Sequence, residues 1–150
     1  MLSVGMNVKE FELQDAYGKT HRLSDFTGKK KVIYFYPKDD TPGCTKQACA
    51  FRDSYQDFTD KDVIVIGISA DSIESHKKFV EKYQLPFVLL SDFKHVVAHQ
   101  FGTWVEKSMY GKTYMGMSRS TFILDENDVI THVFEKASPT ENAQEILNIL

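Results

Sequence analysis

The sequence predicts an α/β fold in which a central mixed β-sheet is covered by helices on both faces. Two apolar runs rich in β-branched residues, at 30–36 and 62–69, are typical of buried strands. Segments with a helical spacing of apolar residues alternate with these strands. No internal repeat, low-complexity tract or long linker divides the chain, so a single domain over residues 1–150 is expected.

The first half of the chain predicts a hairpin, the two buried strands and two helices. FELQDAYGKTHRL alternates around a turn at residues 16–19, which predicts an N-terminal β-hairpin. A helix is expected over residues 45–58, and a second over residues 72–83. Asp71 or Ser72 is the candidate cap of the second helix.

The second half predicts a strand, a helix, a hairpin and a final helix. PFVLLSD indicates a short strand, and FKHVVAHQFG a short helix that ends at Gly102. Residues 106–116 are polar and include glycine, so a loop is expected. SRSTFILD and DVITHVFE predict a hairpin around residues 126–128, on one side of the sheet. PTENAQEILNIL predicts an amphipathic helix whose first turn holds Thr140 and Ala143.

Charge, apolar content and the start of the chain argue against nucleic-acid binding, membrane association and secretion. The net charge of −3 with interspersed acidic and basic residues gives no electrostatic case for nucleic acid. No apolar run approaches the ~20 residues that span a bilayer, so no membrane association is expected. The start MLSVGMNVKEFEL lacks the features of a secretory signal, which favours the cytoplasm. In a reducing compartment, a close cysteine pair indicates catalysis, redox sensing or metal binding.

The only two cysteines, Cys44 and Cys49, lie five positions apart at the mouth of a predicted helix. Five helical residues rise roughly 7.5 Å and turn about 140°, which places the two Cα atoms roughly 8–9 Å apart. A disulfide tolerates no more than ~7 Å. The pair can therefore join only if the first turn unwinds, which suits a redox cycle with local unfolding and not a structural staple.

The surroundings of Cys44 favour a reactive thiolate. A free cysteine has a pKa near ~8.5, whereas the first turn of a helix favours an anion. The hydroxyl of Thr41 can donate to a thiolate or to a bound oxygen. Gly43 lets a ligand approach the backbone, and Pro37 can shield the sulfur from water. Cys49 lies deeper in the helix without these advantages, so it is expected to be the partner of the reactive cysteine and not the attacking residue.

These residues carry a family resemblance. PKDDTPGC has the form P-x-x-x-T-x-x-C and resembles the active-site motif of the peroxiredoxins. CTKQACAFRD, with its C-x-x-x-x-C spacing, is similar to the bacterioferritin comigratory protein, or peroxiredoxin Q, group. GKTYMGMSRSTFILD, residues 111–125, resembles the arginine-bearing strand of that group. The similar stretches occur in the expected order over most of the chain.

The resemblance implies a thioredoxin-like fold and a thiol peroxidase that reduces hydrogen peroxide and organic hydroperoxides. It assigns Cys44 as the peroxidatic cysteine, which becomes a sulfenic acid, and Cys49 as the resolving cysteine. An external dithiol such as thioredoxin would then reduce the disulfide. No metal, flavin or haem is required. A resolving partner within the same chain removes the need for a dimer, so a monomer is expected.

The resemblance also assigns the groups around the reactive sulfur. Thr41 and Arg119 are expected to hydrogen-bond the thiolate and the peroxide, and Pro37 to shield them. The backbone N–H groups of Gly43 and of the reactive cysteine would hold the substrate oxygens. Gln47, one turn farther along the helix, could orient Arg119, although a plain position on the helix surface is the favoured interpretation of this glutamine. Taken alone, Arg119 would be a surface charge on an edge strand, and the matched motif is what favours catalysis. Thr41 could also serve as a turn or helix-cap residue.

Two other functions stay open. A general thiol–disulfide oxidoreductase would accelerate insulin reduction, but such enzymes usually carry C-x-x-C, and the spacing here argues against it. A redox-switched binding module would display the unwound segment only when oxidised. Catalytic turnover of peroxide separates the leading prediction from both alternatives.

Other residues have plainer interpretations. The cysteines could be two ordinary buried thiols. His95 and His99 stand four residues apart, a spacing that metals use, but the glutamate of H-E-x-x-H is missing and a surface or partly buried pair is favoured. Trp104, Tyr110 and Tyr114 would either line a substrate or partner surface or pack in the core.

Overall fold

Strand β3 (Lys30–Phe35) is central, because it is buried from Lys31 onward between two layers of helices and loops. The computed structural model describes all residues, 1–150. The other strands are β1 (Glu12–Asp15), β2 (Thr20–Arg22), β4 (Val63–Ser69), β5 (Val88–Ser91), β6 (Trp104–Met109), β7 (Lys112–Met117), β8 (Ser120–Leu124) and β9 (Ile130–Phe134). The α-helices are α1 (Pro42–Asp53), α2 (Tyr55–Asp60), α3 (Ile73–Tyr83), α4 (Val96–Phe101) and α5 (Asn142–Ile149), and a 3-10 helix covers Leu23–Phe26.

Seven strands form one mixed sheet in the order β2-β1-β5-β4-β3-β8-β9, while β6 and β7 pair as a separate ribbon. Strands β3, β4 and β5 run parallel, and β8 runs antiparallel to β3. Parallel strands are buried on both faces, which is why β3 and β4 are nearly continuous apolar runs. The predicted mixed sheet flanked by helices is confirmed, with one predicted hairpin at each edge.

Alternate residues of β3 face opposite layers of the core. Val32 and Tyr34, followed by Tyr36, belong to the layer that α1, α3 and α5 cover. Ile33 and Phe35 belong to the layer that α4 and the N-terminal segment cover. The two tyrosines therefore lie on the same side of the sheet as the helix that carries both cysteines.

The bounds of the helix predicted over residues 45–58 are wrong. Helix α1 begins earlier, at Pro42, and the chain breaks at Ser54 before α2. Proline suits the first helical position, where its fixed φ fits and no N–H is needed. Phe51 and Phe58 lie on opposite sides of the break, yet their ring centroids are 5.8 Å apart. The apolar periodicity therefore continues across the break and does not reveal it.

The loop predicted over residues 106–116 is also wrong, because β6 and β7 pair through it as an antiparallel ribbon. Tyr110 and Gly111 form the two-residue turn, with φ of 51° and 77°. Positive φ at both positions is what the favoured two-residue hairpin turn requires. The outer parts of both strands are exposed, so the alternation that predicts a half-buried strand is weak.

The other predicted elements are confirmed. The hydroxyl of Ser72 caps α3 by accepting a hydrogen bond from the N–H of Ser75. Helix α4 ends at Gly102, which has the left-handed conformation of a C-cap. Helix α5 begins at Asn142, so Ala143 lies in its first turn as predicted, whereas the placement of Thr140 in that turn is wrong. None of the helices has the length and apolar character to cross a membrane.

Candidate active site

Cys44 lies in the first turn of α1, close to the carboxyl end of the central strand β3. Thr41 is the N-cap residue, with extended backbone angles, and its side chain makes no capping hydrogen bond. The backbone N–H groups of the first turn are therefore free to bind a substrate, and the helix dipole favours an anion there. Cys44 is only 2 % exposed, so its sulfur is largely withdrawn from bulk water.

Arg119, the residue just before β8, reaches the sulfur of Cys44. Phe35 of β3 pairs with Ser120 of β8, so Arg119 lies level with the start of the segment that leads into α1. Its Nη2 donates to Sγ of Cys44 at 3.4 Å, and its Nη1 donates to Oε1 of Gln47 at 2.8 Å. The structure thus brings three of the predicted site residues into one hydrogen-bonded group.

Gly43 packs against the guanidinium of Arg119. A Cβ atom on Gly43 would lie 3.0 Å from Nη2 of Arg119 and 3.6 Å from Cγ of Pro139. Glycine therefore gives the arginine room to approach the helix N-terminus. Sequence reasoning missed Pro139, because its contribution depends on where the chain before α5 crosses the site.

The structure differs from the sequence prediction at Thr41. Its hydroxyl donates to the carbonyl oxygen of Lys38 at 2.8 Å, so its one proton is not directed at the sulfur. The oxygen keeps lone pairs that can accept a hydrogen bond from a substrate O–H group. Pro37 is exposed after the end of β3, and its shielding of the sulfur stays a prediction.

Cys49 lies on the same helix as Cys44, one to two turns farther along, and is partly buried. Both cysteines are free thiols, and α1 is continuous over the two positions. The structure is therefore the dithiol form with a folded helix. The spacing along that helix still prevents a disulfide without unwinding.

Lys107 is a second cation near the site, which sequence reasoning missed. It lies on β6, and its Nζ donates to the carbonyl oxygen of Met117, two residues before Arg119. Burial, followed by the positive charge of Arg119, lowers the pKa of Lys107, and the negative charge on Cys44 opposes this effect. The Tyr110-Gly111 pair was the one sequence signal for the ribbon that positions this lysine.

A buried polar network anchors the segment that leads into α1. The carboxylate of Asp39 contacts the hydroxyl of Tyr36 at 2.6 Å, the hydroxyl of Ser75 at 2.8 Å and Nδ1 of His76 at 2.6 Å. Nε2 of His76 donates to the carbonyl oxygen of Leu90 at 3.0 Å, since a carbonyl can only accept. Burial, followed by the negative charge of Asp39, raises the pKa of Tyr36, so its hydroxyl remains a donor. These contacts tie the segment to α3.

Asp71, a candidate helix cap in the sequence, belongs to this network instead. Its Oδ2 accepts hydrogen bonds from the N–H of Asp39 at 2.8 Å and from the hydroxyl of Ser69 at 2.7 Å. Ligand atoms of Asp39, Asp71 and His76 lie within 4.8 Å of one another, a spacing that a metal site can use. Every one of these groups already has a protein hydrogen-bond partner, so the network itself explains the cluster.

The remaining histidines and aromatic residues lie outside the hydrogen-bonded group around Cys44. His95 precedes α4 and stacks on Trp104 with ring centroids 3.7 Å apart, while His99 is exposed. Tyr110 is 97 % exposed and Tyr114 is 45 % exposed. Trp104 is thus held by packing, whereas the two tyrosines are not core residues.

Comparisons with known proteins agree with one another. The model of the AhpC/TSA family matches residues 4–133. The chain is 44 % identical over 149 residues to peroxiredoxin Bcp of Bacillus subtilis (strain 168), covering 99 % of this chain and 95 % of that relative. Peroxiredoxin Bcp of Escherichia coli (strain K12) is also 44 % identical over 149 residues, with 99 % and 96 % covered.

Solved structures show the same likeness. The bacterioferritin comigratory protein of Xanthomonas campestris, described for its alkyl peroxide reduction activity, has a TM-score of 0.88 and 33 % identity, covering 93 % of this chain and 88 % of that one. The peroxidoxin BcpB of Mycobacterium tuberculosis has a TM-score of 0.88 and 36 % identity, covering 99 % and 96 %.

Proposed function

The chain belongs to the AhpC/TSA family, as a relative of the Bcp and peroxiredoxin Q proteins, and on this premise we propose how its residues reduce peroxides. It is a thiol peroxidase that reduces alkyl hydroperoxides and is recycled by a thioredoxin-type dithiol. The contact that carries the residue assignment is the one between Nη2 of Arg119 and Sγ of Cys44, 3.4 Å long, at the N-terminus of α1.

Cys44 is the attacking residue. Its thiolate attacks the terminal oxygen of the hydroperoxide, a sulfur–oxygen bond forms and the oxygen–oxygen bond breaks. The products are a sulfenic acid on Cys44 and an alkoxide or hydroxide, which takes up a proton and leaves as alcohol or water. The hydroperoxide is the oxidant, because its weak oxygen–oxygen bond accepts two electrons as it breaks. The cycle therefore needs no metal, flavin or haem.

Hydrogen-bond donors that the fold holds in place stabilise the negative charge that develops during this step. Negative charge moves from the sulfur towards the leaving oxygen, and fixed donors lower the energy of that transition state. Arg119 supplies a permanent positive charge and is oriented by Gln47 through the 2.8 Å hydrogen bond. The N–H groups of Gly43 and Cys44 hold the substrate oxygens, and Thr41 accepts the hydrogen bond of the peroxide O–H.

Cys49 completes the oxidative half of the cycle. The first turns of α1 unwind, the thiol of Cys49 attacks the sulfenic sulfur of Cys44, and water leaves as the disulfide forms. A thioredoxin-type dithiol then exchanges with that disulfide and restores both thiols. Unwinding is required because the folded helix holds the two residues too far apart for a disulfide.

Several finer features are proposed with this cycle. Hydrogen peroxide is a substrate beside the organic hydroperoxides, and Pro37 shields the reactive sulfur. The resolving cysteine lies in the same chain, so catalysis requires no second subunit and the protein works as a monomer. A cytoplasmic location, without nucleic-acid or membrane partners, is part of the same proposal.

Steady-state turnover with thioredoxin, its reductase and a hydroperoxide tests the assignment. Cys44→Ser is expected to abolish peroxide consumption. Cys49→Ser is expected to complete one turnover and to leave a sulfenic acid that a dimedone probe captures. Lys46→Ala, an exposed neighbour on α1, is the matched control and should behave as wild type. Wild-type consumption of peroxide by Cys44→Ser contradicts the assignment.

A further inference from the structure

Three buried side-chain polar atoms have no hydrogen-bond partner in the protein: the hydroxyl of Tyr34, Nε2 of Gln47 and Nδ2 of Asn142. Buried polar groups are satisfied in the great majority of cases, so each exception calls for an explanation. Gln47 lies on α1, and Tyr34 lies on the strand beneath it. Two of the three exceptions thus belong to the contact between α1 and the sheet, where the proposed cycle requires unwinding.

Tyr34 is held firmly in this position. It is 1 % exposed, and its ring stacks on Phe51 of α1 with centroids 4.7 Å apart. On the neighbouring strand, a Cβ atom at Gly67 would lie 2.9 Å from Cζ of Tyr34. The ring therefore occupies space that only glycine leaves free. A ring packed this tightly cannot move its hydroxyl towards an acceptor.

The side chain of Tyr34 lies in the core layer that α1 covers. Burial raises the pKa of Tyr34 well above its ordinary value, and negative charge on Cys44, then on Asp39 and Cys49, raises it further. The group therefore stays protonated and remains a donor. Cys44 and Tyr34 also belong to the same buried cluster. This donor is therefore buried against the helix that carries both thiols.

The orientation of the Gln47 amide is fixed by chemistry. Arg119 can only donate, so the atom of Gln47 that it contacts at 2.8 Å must be the oxygen. The NH2 group then points elsewhere, and Gln47 is fully buried. Nε2 of Gln47 is therefore a second buried donor on α1 that has no acceptor in the protein.

We propose that the unpaired hydroxyl of Tyr34 promotes the resolving step by making the folded α1 less stable relative to its unwound form. In the folded dithiol form the hydroxyl has lost water without gaining a protein acceptor. When the first turns of α1 unwind, water reaches the hydroxyl and restores its hydrogen bonds. This proposal rests on the proposed peroxidase cycle and identifies Tyr34 as a residue that controls disulfide formation through the helix.

Tyr36 provides an internal comparison. It lies two residues from Tyr34 on the same side of the sheet, with ring centroids 5.5 Å apart, and it is equally buried. Its hydroxyl donates to Oδ1 of Asp39 at 2.6 Å. Removing a hydrogen-bonded hydroxyl destabilises the folded helix by the loss of that bond. Removing an unpaired buried hydroxyl instead stabilises the folded helix, because the free-energy cost of its desolvation disappears. The two tyrosines should therefore respond in opposite directions to loss of the hydroxyl.

The kinetic test compares Tyr34→Phe with wild type, and with Tyr36→Phe as the matched control. The rate of peroxide attack and the rate of disulfide formation are measured separately, by quenched flow and intact mass. Tyr34→Phe is expected to attack peroxide at the wild-type rate, within about twofold, and to form the disulfide about tenfold more slowly. A longer-lived sulfenic acid meets a second peroxide more often, so the sulfinic acid fraction should rise. Disulfide formation at the wild-type rate or faster overturns the proposal.

Hydrogen exchange of the α1 amides in the dithiol protein gives a test that needs no peroxide. Tyr34→Phe is expected to slow exchange of residues 44–49 about tenfold, while Tyr36→Phe should not slow it. Equal or faster exchange in Tyr34→Phe overturns the proposal. If wild type forms no disulfide with peroxide, the proposed cycle fails as well. If wild type forms the disulfide and Tyr34→Phe matches it, only the role of Tyr34 fails.

Discussion

Nη2 of Arg119 lies 3.4 Å from Sγ of Cys44, although the two residues are 75 positions apart in the chain. The pairing of β8 with β3 brings them together, since it sets Arg119 level with the end of the central strand. The helix that follows this strand presents Cys44 in its first turn. The sulfur of Cys44 therefore lies both at the N-terminus of α1 and within hydrogen-bond distance of Arg119.

Replacing Arg119 should impair attack on the peroxide. Arg119→Ala removes the positive charge beside the sulfur and a donor for the transition state, which is expected to slow attack about 10²- to 10³-fold. Arg119→Lys keeps the charge but loses the fork that contacts Cys44 and Gln47 together, so an intermediate rate is expected. Single-turnover rates measure both effects. Full activity of Arg119→Ala would remove this residue from the mechanism.

Gly43→Ala should lower activity without lowering stability. Its Cβ would lie 3.0 Å from Nη2 of Arg119, so the guanidinium must give way by a few tenths of an ångström. Because a misplacement of about 1 Å can cost about 10²-fold, this smaller shift is expected to cost roughly tenfold in rate. Alanine is favoured over glycine within a helix by about 0.5–1 kcal/mol, so the free energy of unfolding should not fall.

Lys46→Ala serves as the matched variant for that comparison, because Lys46 is exposed on the same helix. Attack rates and urea unfolding are measured on both proteins. If Gly43→Ala reacts as fast as Lys46→Ala, the close packing of Gly43 on Arg119 has no catalytic consequence.

Asp39→Asn should destabilise the fold. The carboxylate of Asp39 is buried with His76, and removing one partner of a buried pair costs about 3 kcal/mol or more. Urea unfolding at pH 7 measures the loss. Asp40→Asn is the matched control, because the neighbouring Asp40 makes an exposed pair with Lys82, and exposed pairs contribute little. Equal stability of the two variants would show that the buried network does not anchor the segment before α1.

The hydroxyl of Thr41 is expected to matter for attack on the peroxide. The hydroxyl donates to Lys38, so its oxygen is expected to accept from the peroxide. Thr41→Ser keeps this group and should retain most of the activity, whereas Thr41→Val keeps the shape and should lose about tenfold or more in attack rate. Single-turnover kinetics with one hydroperoxide measure both. Equal rates for the serine and valine variants would assign Thr41 a turn role alone.

Residues close in the chain were predictable from sequence. The buried strand over residues 30–36 and the spacing of Cys44 from Cys49 indicated that the reactive cysteine follows a strand and lies at the mouth of a helix. Arg119 and Gln47 entered the prediction through family resemblance. The favoured surface position of Gln47 is wrong, because this residue is fully buried and its side-chain oxygen accepts a hydrogen bond from Arg119.

Contacts between distant segments were not predictable. Pro139 and Lys107 approach the site because of how a loop and a ribbon cross it, and neither carries a local pattern for that position. The ribbon itself was missed, since exposed strands do not alternate strongly. The break at Ser54 was hidden because Phe51 and Phe58 face the same core layer.

Cys44 and Cys49 are expected to form a disulfide after one reaction with peroxide, as the first turns of α1 unwind. The direct test mixes reduced protein with one equivalent of hydrogen peroxide and quenches samples at millisecond intervals. Intact mass spectrometry then follows the change in mass. Rapid loss of the mass of two hydrogen atoms is expected, with a disulfide between Cys44 and Cys49 identified by peptide mapping. Protein that keeps both thiols, or that oxidises as slowly as free cysteine, would contradict it.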